Sequence, residues 1–156
     1  MTGIIEARLA ELGITLPAAP APIANYVGFT VSGSRVVVSG QIPLQDGKLA
    51  FAGKVGATVT PEVAAQACRL CFINVLAQLR AACGGDLDRV TRVLRLGGFI
   101  AAPPEFTGHP AVMNGASDLC VAVFGDTGKH ARSTIGVPSL PADACCEVEG
   151  MFEIRA

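Results

Sequence analysis

The residues best equipped for chemistry lie in the last quarter of the chain, in HARST at 130–134 and CCEVEGMFE at 145–153. Arg132 opens a strand-like run among small neighbours, so its guanidinium is free to point into a cleft. That planar fork of donors matches a carboxylate and would grip a small organic acid. The alternative is an internal ion pair with Glu147 or Glu149. Those two acids share one strand face with Glu153. Clustered carboxylates raise at least one pKa unless Arg35, Arg92, Arg95 and Arg155 answer them, and a carboxyl so raised can hold or activate water.

Ser39-Gly40-Gln41-Ile42-Pro43 closes another strand-like run, placing a hydroxyl and an amide beside a glycine that permits close backbone approach. A plain turn is the alternative there. Asn114, in VMNGASDL, sits early in a helical stretch, where it can cap or hydrogen-bond a loop. His109 and His130 flank that stretch and read as solvated or capping histidines.

Other chemistries find little support. GKVGAT at 53–58 lacks the spacing and context of a phosphate loop, and no G-x-S-x-G occurs. Cys68 and Cys71 form a C-x-x-C in mid-helix, with no second Cys or His pair at zinc-like spacing. Cys145 and Cys146 are adjacent, so in a strand they would point to opposite faces. All six cysteines read as reduced core thiols, and no metal is expected.

Several elements must position these groups. Residues 3–12 suggest a short helix, followed by the proline-rich, extended LPAAPAPIA. YVGFTV and RVVVSG form a hairpin about Ser32-Gly33-Ser34, and Asp46-Gly47 turns before a weak strand at 49–51. Thr60-Pro61-Glu62 starts a helix of about six turns that Gly84-Gly85 ends. A β-rich run from Val90 to Ile100 carries Gly97-Gly98, the signature of a bulge. A second main helix spans about 110–124, and strands follow at 131–137 and 145–154. In the last, Cys146, Val148, Gly150, Phe152 and Ile154 face one way, and Cys145, Glu147, Glu149, Met151 and Glu153 the other.

This order predicts one α+β domain over 1–156, with 1–20 as its N-terminal helix and lead-in and two helices on one sheet face. With 51% hydrophobic and 16% charged residues, against about 25% charged in ordinary domains, the chain has trouble covering its surface alone. Oligomerisation is therefore expected, with neighbouring subunits closing the second sheet face. Charges interrupt every apolar stretch, so no membrane span is expected, and the opening residues read as an amphipathic helix; a cytoplasmic protein is expected. Net charge −1, a pI of about 6.1 and three lysines against nine arginines argue against nucleic acid as a partner.

YVGFTVSGSRVVVSGQIP, the AAQACRLCFINVLAQL helix with GGDLDRVTRV behind it, VMNGASDL, and HARSTIGV with LPADACCEVEGMFEI resemble the Rid (YjgF) family of enamine/imine deaminases, also called endoribonuclease L-PSP. The resemblance spans roughly residues 22–156. It implies a chorismate-mutase-like α+β fold with a mixed sheet, assembled as a homotrimer with sheets inside, helices outside and sites in the clefts between subunits. It further implies that Arg132 binds the substrate carboxylate, that Glu147 places the attacking water, and that the Thr134 backbone meets substrate and water. Tyr26, Ser39, Gly40 and Asn114 would complete the binding site. The implied activity is hydrolysis of 2-imino or 2-aminoacrylate-type acids to 2-keto acids and ammonia, without cofactor or metal. The alternatives are a non-catalytic binder of small carboxylates and, less favoured, an endoribonuclease. The chain departs from the family pattern in its extra N-terminal helix, in Thr134 where close relatives carry cysteine, and in Gly136-Val137-Pro138.

Overall fold

Local chemistry starts the two main helices. In the computed structural model, which describes residues 1–21 and 24–156, Thr60 caps helix α2 (Pro61–Ala82) by accepting from the Val63 amide at 3.3 Å. Pro61 occupies the first turn, where its missing N–H costs nothing. Gly84 and Gly85, both at positive φ, turn the chain out at the other end. Helix α3 (His109–Phe124) carries Pro110 in its first turn and stops at Gly125, again at positive φ. A third helix, α1 (Ile4–Glu11), lies outside the sheet. The Asp88 carboxylate, from a short 3-10 helix at Leu87–Arg89, caps it by accepting from the Ile4 and Ile5 amides at 2.8 Å each.

Five strands form a mixed sheet in the order β1 (Phe29–Ser32), β2 (Arg35–Gln41), β7 (Cys146–Ile154), β5 (Val90–Ala101), β6 (Ala131–Val137). β5 and β6 run parallel, and every other pair is antiparallel. Strands β3 (Leu44–Gln45) and β4 (Lys48–Leu49) form a separate hairpin about Asp46-Gly47, one residue earlier than the 49–51 run predicted. The core lies between the sheet and α2 and α3, where Val36, Val38, Leu96, Ile100, Val148 and Phe152 meet Cys68, Phe72, Leu76, Leu79, Val112 and Cys120, all essentially buried. This is the predicted α+β layer arrangement.

Three expectations need correction. The first strand starts at Phe29, which leaves Tyr26 in the preceding loop. Gly97 and Gly98 keep regular register with Glu149 and Val148, and the irregularities of β5 fall nearer its start, at 90–95. The two glycines instead make room: a Cβ at Gly97 would meet Glu149, and one at Gly98 would meet Met113 of α3. A bulge does occur in β2 between Val38 and Gln41, at the Ser39-Gly40 pair. Finally, Cys145 precedes β7, so the strand's alternation does not govern it. It is fully buried, with its sulfur 4.0 Å from that of Cys146. Of the extended LPAAPAPIA segment, Pro22 and Ile23 lie outside the described residues.

Candidate functional site

Alternation along the edge strand β6 divides its residues between two environments. Arg132, Thr134 and Gly136 face α3, while Ala131, Ser133 and Ile135 are exposed on the opposite face. The helix runs antiparallel to the strand, so successive residues meet in reverse order: His130 with Ser117, Arg132 with Asn114 and Pro110, Gly136 with His109. Arg132 Nη1 donates to Asn114 Oδ1 at 2.9 Å and to Ser117 Oγ at 3.0 Å, and Nη2 donates to the Pro110 carbonyl at 3.4 Å. Among the described residues no carboxylate comes within ion-pair distance of this guanidinium. The pairing of Arg132 with Glu147 or Glu149 is therefore overturned, because β6 and β7 point these side chains to opposite faces of the sheet.

Three of five guanidinium donors are thus engaged by neutral oxygens. Among the described residues, Nε–H and one hydrogen of Nη2 have no partner. The neighbouring Thr134 Oγ1 is buried and also has no partner among the described residues. Toward the end of β6 lies a cavity of about 360 Å³ lined by Pro103, Phe106, His109, Gly136 and Pro138.

The carboxylates occupy the other sheet face. Glu147, Glu149, Met151 and Glu153 alternate outward from β7 and are half-buried, while Cys146, Val148, Gly150, Phe152 and Ile154 are buried beneath the helices. No arginine answers the acids within ion-pair distance among the described residues. Burial, and after it the Glu149 charge, push the Glu147 carboxyl above the usual carboxylate range. Gly40 lies directly opposite, and a side chain there would strike the Glu147 carboxylate. Ser39 donates to the Val27 carbonyl at 2.6 Å and its amide donates to Gly28, which ties the bulge to the loop bearing Tyr26. Tyr26, 60% exposed, and Gly40 line one cavity of about 190 Å³ with Gly28, Gln41 and Gln78.

The candidate residues therefore form two groups. Arg132, Asn114 and Thr134 make one, and Glu147, Gly40, Ser39 and Tyr26 the other. Strand order separates β2 from β6 by three spacings, about 14 Å, and the groups lie on opposite sheet faces. One chain cannot bring both to a single small molecule. Sequence reasoning missed Ser117 and His130 as partners of Arg132. Their signal is tertiary, since it depends on the antiparallel run of α3 against β6.

Comparison with known proteins agrees with this architecture. Residues 6–154 match the family described as "YjgF/chorismate_mutase-like, putative endoribonuclease". Protein TCP17 of Trypanosoma cruzi is 45% identical over 155 residues, which cover 99% of this chain and 96% of that protein. The crystal structure of Atu1372, a protein of unknown function from Agrobacterium tumefaciens, superposes with a TM-score of 0.91 at 48% identity, covering 98% of this chain and 94% of that one. A "putative endoribonuclease" from Shewanella oneidensis gives a TM-score of 0.92 at 37% identity, covering 96% and 99%. With the mixed five-stranded sheet backed by two long helices and a family match running almost from end to end, the chain belongs to the YjgF/chorismate-mutase-like (Rid) family.

Proposed function

We propose that the protein is an enamine/imine deaminase, hydrolysing 2-imino or 2-aminoacrylate-type acids to 2-keto acids and ammonia in clefts between the subunits of a homotrimer. The observation that carries this reading is the Arg132 guanidinium. It is oriented by three neutral oxygens, keeps Nε–H and one Nη2 hydrogen open for a carboxylate fork, and has no carboxylate within ion-pair distance among the described residues. A substrate carboxylate fits that fork in bidentate fashion. An imine carbon is already electrophilic, so orienting it toward water supplies most of the advantage.

Water adds to C2 of the imine, its oxygen bonding to carbon as the C=N electron pair moves to nitrogen. The carbinolamine then expels ammonia as its hydroxyl proton leaves and the C=O bond forms. An enamine first takes a proton at its terminal carbon and enters the same sequence as the imine. A carboxyl held above its usual range by burial, as Glu147 is, suits both taking a proton from the water and returning one to the departing nitrogen. Because Arg132 and Glu147 lie on opposite faces of one chain's sheet, the Glu147 that serves a given Arg132 comes from a neighbouring copy.

The test couples a pyridoxal-phosphate dehydratase, which releases 2-iminobutanoate, to keto-acid detection. Wild type accelerates keto-acid formation and Arg132→Ala abolishes the acceleration. No acceleration by wild type, or full acceleration by the variant, overturns the reading. A binder of small carboxylates is the second reading, favoured by the completeness of the Arg132 group within one chain. Arg132-dependent keto-acid binding in calorimetry, with no turnover, would select it.

A further inference from the structure

We infer that Ser117 and His130 are positioning residues for the substrate-binding guanidinium, an inference that rests on the deaminase reading of Arg132. The hydrogen bonds form a directed chain. His130 Nδ1 lies 2.6 Å from the Gly128 carbonyl. A carbonyl only accepts, so Nδ1 carries a proton and donates to it. In the neutral ring Nε2 is then an acceptor, and Ser117 Oγ lies 2.9 Å from it. The Ser117 hydroxyl donates its single proton to His130. Its oxygen lone pairs consequently face Arg132 Nη1, which donates at 3.0 Å. The order is Arg132 to Ser117 to His130 to the Gly128 backbone, and each donor finds one acceptor.

Without His130 as acceptor, the Ser117 hydroxyl would turn back to a carbonyl one helical turn earlier, the usual fate of a serine in mid-helix. With it, one lone pair is fixed on the guanidinium. Asn114 Oδ1, also on Nη1, supplies the second fixed point. Two acceptors on Nη1 set the rotation of the guanidinium plane and leave the fork of Nε and Nη2 as the edge offered to a carboxylate. His130 and Ser117 touch no substrate in this arrangement and act only through Arg132.

The experiment uses the full chain, with calorimetry of 2-oxobutanoate as the binding probe and dehydratase-generated 2-iminobutanoate for turnover. Ser117→Ala is expected to weaken 2-oxobutanoate binding and raise KM roughly tenfold, with a smaller change in kcat and an unchanged Tm. Ser117→Thr, which keeps the hydroxyl, restores wild-type values. His130→Ala shows the same KM-weighted loss, and His130→Gln, whose amide oxygen can accept from Ser117, recovers part of it. His130 precedes the strand and its truncation spares the core, so this pair remains informative if Ser117→Ala folds poorly. Wild-type KM and affinity in Ser117→Ala and His130→Ala, alongside a dead Arg132→Ala, would overturn the positioning role and leave the deaminase reading standing. A fully active Arg132→Ala would remove the deaminase reading itself.

Discussion

Glu147 shows most clearly how a residue's surroundings set its chemistry. Burial and the adjacent Glu149 charge raise its pKa, so the folded chain takes up a proton at a higher pH than the unfolded chain does. Its contribution to stability is therefore fully present below the ordinary carboxylate range and is lost as pH rises through the folded-state titration. Glu147→Gln cannot ionise. Urea unfolding should show the variant more stable than wild type at about pH 7.5, with the gap closing at about pH 4. A gap that widens toward acid would mean that the carboxylate is stabilised in its charged form. The same substitution should abolish imine hydrolysis, so stability and turnover move in opposite directions, as expected where a residue is kept for function. Both Glu147 and Arg132 are legible in the sequence, the first from strand alternation and the second from HARST. That they do not meet within a chain is not legible, because strand order and sheet face are tertiary facts.

At the scale of elements, the helix starts and stops follow from local rules at Thr60, Pro61, Gly84 and Gly125, and a reader of the sequence finds them. Glycines inside elements behave differently. Gly97-Gly98 invites a bulge, yet the strand there is regular and the glycines accommodate Glu149 and Met113 from neighbouring elements. Gly115 is a stronger case: a Cβ on it would collide with the Ala65 backbone, where α3 crosses α2. Backbone cannot rotate away as a flexible side chain can, so Gly115→Ala must push the two helices apart. Overpacking of this kind costs about 1–3 kcal/mol, which chemical denaturation should register as a lower midpoint with an unchanged slope. Ala65→Gly should not rescue it, because the obstructing atoms are main chain. An unchanged midpoint would mean that α3 slides freely on α2. Such sliding would also shift Asn114 and Ser117 against Arg132, so keto-acid affinity in Gly115→Ala should fall together with stability.

For the molecule as a whole, the apolar composition and the divided site point the same way. The sheet face away from the helices exposes Val37 and Ile135, at 44% and 51%, beside the carboxylates of β7, which have no ion-pair partner among the described residues. Covering that face with a second copy would remove apolar surface from water. It would also allow Glu147 of one chain to approach Arg132 of another, which the two-faced sheet forbids within a chain. This arrangement has a consequence that no single-chain site shares. Arg132→Ala and Glu147→Gln should each be inactive alone. If equal amounts are unfolded together and refolded, every mixed ring of three contains one site that takes its arginine from one variant and its glutamate from the other. Random assembly then restores about a quarter of wild-type sites, and the recovered keto-acid production should scale accordingly. Light scattering on the same sample should report the trimer. Recovery fails if both groups act from one chain, and a stable monomer at micromolar concentration would remove the shared site altogether.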